Sequence, residues 1–188
     1  MTRDEALDAF RQSGALLDGH FVLRSGLHSR QFFQCALVLQ HARLASRLCE
    51  ALADKLRGIA VDAVISPALG GLFVGQELAR SLDKRHIFAE KEEGKLVLRR
   101  GFSVGKGERF LVAEDVVTKG GRVQETLDII RSRGGVVVAV AVVVDRSSGP
   151  VDFGAPFFSL VKMDVETFSA DHLPPDLAAI PAVKPGSK

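Results

Sequence analysis

The chain has 188 residues, 46% hydrophobic and 26% charged, with a formal net charge of +2. That length suits one compact domain with a full core, residues 1–188, and the near balance of charge gives no electrostatic case for nucleic acid. The longest apolar run, Val136 to Val144, is too short to cross a bilayer as a helix, so no membrane partner is expected.

Residues 2–13 carry an apolar helical face of Ala6, Leu7 and Phe10. Met1 to Ala6 lacks the charged-then-apolar plan of a secretion signal. Ala15 to Val22 reads as a turn into a short strand, Arg24 to Arg30 as a polar loop, and Gln31 to Val38 as a second strand. Residues 40–57 form the clearest helix, with Leu44, Leu48, Leu52 and Leu56 recurring every four. Cys35 and Cys49 form no CxxC pair and read as buried thiols in a reducing compartment, which makes the expected location cytoplasmic.

An alternating pattern follows. Val61 to Ile65 is a β run, Ser66 to Gly71 a loop, and Leu72 to Leu82 a helix. His86 to Ala89 is a β run, and the charged, Gly-rich residues 90–108 read as a β-arm or mobile flap. Phe110 to Ala113 is a strand, Gly121 to Arg133 a helix, and Gly134-Gly135 its stop. Val136 to Val144 is apolar on both faces, as in a central parallel strand. Alternating β and α elements predict an α/β fold whose central parallel sheet is flanked by helices, with ligands bound beyond the carboxyl ends of the strands. Familiar alternatives find no motif. Gly101 to Gly107 has the wrong spacing for a nucleotide-binding P-loop, and there is no GxGxxG, HExxH or zinc-ligand cluster.

The richest stretch is Phe110-Leu-Val-Ala-Glu-Asp-Val-Val-Thr-Lys-Gly-Gly-Arg122. An apolar strand ends in two carboxylates, Glu114 and Asp115. A small-residue loop follows and then a helix start. Unpaired N–H groups and the positive dipole end suit a phosphate there. Carboxylates would repel that phosphate, so they make sense as holders of sugar hydroxyls and a metal ion. A phosphoribosyl group with Mg²⁺ combines all three parts. A second loop, Ser66 to Gly71, opens into the same crevice and suits a pyrophosphate. Arg146, after Asp145 at the end of an apolar strand, presents planar donors for a carboxylate or carbonyl edge; the plainer reading is a surface pair with Asp145.

The Glu114 to Gly121 stretch resembles the phosphoribosyl-diphosphate (PRPP) signature of type I phosphoribosyltransferases. Leu23-Arg24-Ser25-Gly26, Ser29 and Phe32-Phe33 narrow the resemblance to the orotate phosphoribosyltransferases, as does the run Phe88 to Phe102. The resemblance covers roughly residues 15–150, and residues 165–188 carry no readable motif. It implies a type I phosphoribosyltransferase fold, with a small N-terminal hood at about 15–38, a core at about 40–165 and a tail at about 171–188. It implies transfer of ribose 5-phosphate from PRPP to orotate N1 with Mg²⁺ as cofactor, in pyrimidine (UMP) synthesis. It also implies a homodimer with active sites shared between subunits.

Carried onto this chain, the resemblance implies that Glu114 and Asp115 hold the ribose hydroxyls, directly or through Mg²⁺ and water, with no direct protein–metal bond expected. Val116 and Val117 lead into Thr118, Lys119, Gly120, Gly121 and Arg122, which wrap the 5′-phosphate, with Thr118 also against orotate. Leu69 and Gly70 belong to the pyrophosphate loop, and Arg24 sits near base and pyrophosphate. Arg146 binds orotate, and Phe32 and Phe33 flank it. Lys91 and Lys95 belong to a flexible catalytic loop that closes over the partner subunit's site. This chain departs from the pattern at four places. Arg24 and Gly70 stand where the family commonly has Lys, residues 90–102 lack His, and Arg122 replaces a small hydroxyl residue. Lys119 and Arg122 therefore either add charge to the phosphate site or point to solvent. Two alternatives keep the PRPP site: a transferase for another base such as a purine, and a PRPP-sensing regulator. The hood segment argues against the first; charge balance and lack of spare length argue against the second.

Overall fold

A computed structural model describes residues 1–23 and 25–185. Two sheets organise them. The larger has the order β5-β4-β3-β6-β7-β8, built from β3 (Ala63–Pro67), β4 (Arg85–Glu92), β5 (Lys95–Leu98), β6 (Arg109–Val117), β7 (Val136–Asp145) and β8 (Phe157–Lys162). All its neighbours run parallel except the β4–β5 pair.

The expected alternation of helix and strand is present, and period-two burial explains it. Leu111, Ala113, Ala139, Ala141 and Val143 face one way, into a core completed by α3 (Ala42–Asp54) and α4 (Gly71–Leu82). Phe110, Val112, Val140 and Val142 face the other way and pack with Val123, Leu127 and Ile130 of α5 (Gly121–Ser132). Strands covered on both faces read as continuous apolar runs, which is why β6 and β7 stand out in the sequence. Each such buried Leu or Ile contributes about 1.5–3 kcal/mol of hydrophobic stabilisation.

The smaller sheet is the hood. It joins β1 (Leu16–Val22), β2 (His28–Phe33) and β9 (Thr167–Phe168), all antiparallel. The β9 strand comes from the stretch without a readable motif, so the hood extends beyond residues 15–38. The tail is stitched on further by Val22 N–H donating to Val183 O and Val183 N–H donating to His20 O, both 2.9 Å. Arg30 binds Asp176 through two nitrogens at 2.8 and 2.9 Å and Glu166 at 2.7 Å. Helix α1 (Arg3–Gln12), started by a Thr2–Glu5 capping box, sets Phe10 edge-on to Phe33 at 5.0 Å between ring centroids.

Several boundaries differ from the expected ones. The second strand begins at His28, inside the expected polar loop, and ends at Phe33; Ala36–Leu39 is a short helix, α2. The long helix, α3, runs Ala42–Asp54, shorter at both ends than the expected 40–57. The expected flap begins as a hairpin, in which Glu92 pairs with Lys95 across a turn whose Glu93 and Gly94 both have positive φ, 48° and 90°. A short helix α6 (Pro175–Ala178) lies in the tail. Among the described residues no helix is long and apolar enough to cross a membrane.

Helix α4 packs unusually close to the sheet. Ser66 Oγ and His86 Nε2 are hydrogen-bonded at 2.8 Å directly beneath Gly75, and burial pulls the His86 ring down to about 4, so it stays neutral near pH 7. A Cβ on Gly75 would overlap both atoms. Gly75→Ala is therefore expected to lower unfolding free energy by about 1–3 kcal/mol in denaturant titration, despite the helix propensity of alanine. Unchanged stability would show that the α4–sheet contact is slack.

Candidate active site

The order of the larger sheet places a switch point between β3 and β6. From β3 the chain moves outward to β4; from β6 it moves the opposite way to β7. The helices after these two strands go to opposite faces, α4 to one and α5 to the other. Their connecting loops part at the carboxyl ends of β3 and β6, and a crevice opens between them.

A cavity of about 640 Å³ fills that crevice. Its walls are Ala68, Leu69 and Gly70 on one side and Glu114 through Val123 on the other, with Lys91 at the rim. Thus Leu69, Gly70, Lys91, Glu114, Asp115, Val116, Val117, Thr118, Lys119, Gly120, Gly121 and Arg122, each named from sequence, meet in one place.

Glu114 and Asp115 do not follow the strand, as expected from sequence, but lie within it, because β6 continues to Val117 in register with β7. The ladder fixes their backbone. Glu114 Oε1 accepts from Asp115 N–H at 3.0 Å, and Asp115 Oδ1 accepts from Val116 N–H at 2.8 Å. Glu114 is only 5% exposed. Burial first, and the neighbouring Asp115 second, push its carboxyl well above the usual carboxylate range. The opposite loop accommodates the pair by having glycine at positions 70 and 71. A Cβ on Gly70 would lie 2.7–2.8 Å from the Asp115 carboxylate, and one on Gly71 2.9 Å from Glu114 Oε1.

The Thr118–Gly121 loop leads into α5 without a side-chain cap and with no acidic residue in the first turn. Residues of this helix start, Gly121 to Val123, line the cavity, and the helix dipole adds positive potential there. Gly120 is required twice over: its φ is +76°, and a Cβ would come within 2.9 Å of the Phe153 ring. Arg122 Nη1 crosses the crevice and donates to Ala68 O at 3.1 Å.

Other expected residues lie outside this cavity. Arg146 follows β7, with its backbone N–H bound to Val117 O at 2.8 Å. Its Nε is buried with no hydrogen-bond partner among the described residues, and burial lowers its pKa. The plain ion pair with Asp145 is absent, because Asp145 is bound by Lys162 Nζ at 3.0 Å and Ser147 N–H at 2.8 Å. Phe32 and Phe33 do not act as a pair. Strand alternation sends Phe33 into the core against Phe10 and leaves Phe32 beside Phe21, 5.9 Å between centroids. Phe33 is thus unavailable to flank a base in this conformation. Lys95 opens β5 away from the cavity, while Lys91 reaches it. Arg24 lies outside the described residues. Sequence reasoning missed Ala68 and Val123 as wall residues; both adjoin the two glycine loops, which was the available signal.

Comparison with known proteins places this geometry. Residues 37–176 match the phosphoribosyl transferase domain family. Orotate phosphoribosyltransferase of Desulforamulus reducens is 48% identical over 188 residues, spanning 100% of this chain and 98% of that protein. The protein of the same name from Carboxydothermus hydrogenoformans is 50% identical over 181 residues, spanning 95% of each. The crystal structure of orotate phosphoribosyltransferase from Aeropyrum pernix superposes with a TM-score of 0.73 at 26% identity, covering 83% of this chain and 92% of that one. The chain therefore belongs to the phosphoribosyltransferase family and has its fold, among relatives named orotate phosphoribosyltransferases.

Proposed function

We infer that this protein is an orotate phosphoribosyltransferase, converting orotate and PRPP into orotidine 5′-monophosphate and pyrophosphate for pyrimidine synthesis. The observation that carries this reading is the switch-point cavity, where a buried Glu114 and a half-buried Asp115 face a glycine loop beside an uncapped helix start. It occurs in a chain about half identical to relatives of that name.

In the reaction the C1–O bond to pyrophosphate breaks, a C1–N1 bond to orotate forms, and N1 gives up its proton. Positive charge develops on the ribose, and negative charge on the leaving group must be neutralised. The amides of the Thr118–Gly121 loop bind the 5′-phosphate at the start of α5. Glu114 and Asp115 accept from the ribose hydroxyls and face the cationic ring. The Arg146 guanidinium, with a free buried donor, binds the orotate carboxylate or ring edge. Lys91, carried by the β4–β5 hairpin, lines its own chain's cavity and adds positive charge there, and in a homodimer the same hairpin closes over the partner subunit's site to exclude water.

Mg²⁺ fits the donor set. Glu114 and Asp115 are hard oxygen groups beside which the ion would be held through water, its remaining ligands coming from the phosphates. Bound there, it would offset the charge of the diphosphate. A homodimer fits the surface: Leu69 at the cavity edge is 78% exposed and Phe73 on α4 60%, both apolar. Two free buried cysteines suit the reducing cytoplasm.

The deciding experiment follows orotate absorbance after adding PRPP and Mg²⁺, with purine bases and uracil tested by pyrophosphate release. Orotate loss that requires both additions is expected, and Asp115→Asn should lower turnover on the order of 100-fold or more with its melting temperature intact. Turnover of a purine, or of no base, would reject the orotate assignment. Arg146→Ala should raise KM for orotate roughly 10- to 100-fold while KM for PRPP moves little; equal effects on the two would remove Arg146 from the base. Glu114 supplies a pH test. Because its folded-state carboxyl titrates above the ordinary 4.5, its contribution to stability is fully present below that value and is lost as pH rises through the elevated one. Ligand-free Glu114→Gln should thus melt several degrees above wild type at mildly alkaline pH, with the gap closing near 4.5. A gap that does not vary with pH would contradict the buried-charge account.

A further inference from the structure

The wall that would face a diphosphate has no cation of its own. The β3–α4 loop reads Ser66-Pro-Ala-Leu-Gly-Gly71, and Asp115 leaves no room for a side chain at Gly70. A diphosphate there meets neutral backbone on one side and two carboxylates on the other. Among the described residues three cationic side chains line the cavity: Lys91, Lys119 and Arg122. Of these, only Arg122 is tied to the β3–α4 loop, through its 3.1 Å bond to Ala68 O.

The position of Arg122 is informative in itself. It is the second residue of α5, where the helix dipole disfavours a positive side chain, and no acidic residue in that turn compensates. Among the described residues it forms no ion pair. Its side chain leaves its own helix and extends to the opposite loop. One guanidinium N–H is spent on Ala68 O, leaving further donors in the same plane for phosphate oxygens.

We propose that Arg122 is the leaving-group cation of this enzyme: it spans the crevice to bind the diphosphate of PRPP and the released pyrophosphate, while the amides of its own loop bind the 5′-phosphate. The proposal rests on reading the cavity as a PRPP site. It separates two roles along one short segment, backbone for one phosphate and side chain for the other.

Calorimetric titration of the full protein with pyrophosphate plus Mg²⁺, and separately with ribose 5-phosphate, tests it. Arg122→Gln should weaken pyrophosphate binding by at least about tenfold and ribose 5-phosphate binding by less than about twofold, with Arg122→Lys recovering part of the loss. KM for PRPP should rise while KM for orotate holds, and the ligand-free melting temperature should stay or increase. Equal losses for both ligands, or a loss confined to ribose 5-phosphate, would assign Arg122 to the 5′-phosphate and overturn the proposal. Undiminished pyrophosphate binding by Arg122→Gln, beside a wild type that binds both ligands, would overturn the proposal alone. A wild type that binds neither would overturn the PRPP reading with it.

Discussion

The crevice is arranged to hold two carboxyl groups inside a strand, with Arg122 the cation fixed across from them. Glu114 and Asp115 sit in β6, whose pairing with β7 fixes their backbone. Charge in such a place is costly unless it is paired or hydrogen-bonded. Two backbone N–H groups supply part of the compensation. The rest is steric: Gly70 and Gly71 stand back so that the carboxylates have room. The start of α4 is therefore shaped by what β6 carries. Gly75, one turn later, continues the close approach of this helix to the sheet over the Ser66–His86 pair.

The distribution of the other charges follows the same logic. Most surface arginines are occupied by acids: Arg109 by Asp62 at 2.7 Å, Arg85 by Glu108 at 2.6 Å, and Arg99 and Arg100 by Glu92 and Glu90 at 3.0 and 2.9 Å. Exposed pairs of this kind contribute little stability each. Their effect here is to sort charge. Once they are formed, Lys91, Lys119 and Arg122 around the cavity have no acidic partner within ion-pair distance among the described residues. These three side chains are left free to meet an entering polyanion.

The phosphate-binding half was legible in the sequence because its information is local. A strand buried on both faces, two acids and a glycine loop occupy consecutive positions, and the second loop repeats the strand–glycine–helix plan. The hood was less legible because its partners are far apart. His28 pairs with Phe168, and Ser29 Oγ donates to Glu166 O across 137 residues, contacts no local pattern announces. Phe32-Phe33 misled for a different reason. Read as a unit they resemble a base clamp, but alternation along β2 must send neighbours to opposite faces, so Phe33 became core. The β-arm expected from the charged, Gly-rich stretch is present as the β4–β5 hairpin, turning at Glu93-Gly94.

These two kinds of legibility correspond to two kinds of construction. The core side of the site is made from main chain: amides at a helix start, glycines that keep their distance, and acids pinned by a ladder. The hood side is made from strands tied by polar contacts between distant segments, such as His20 Nδ1 with Ile180 O at 2.8 Å and Arg30 with Asp176. Main-chain geometry recognises what every phosphoribosyl donor shares. Side chains on separately tied strands can be exchanged without disturbing the sheet that holds the phosphates. Under the function proposed above, the core half, which alone among the described residues lines the cavity, fixes the donor, and the separately tied hood is left to select the base.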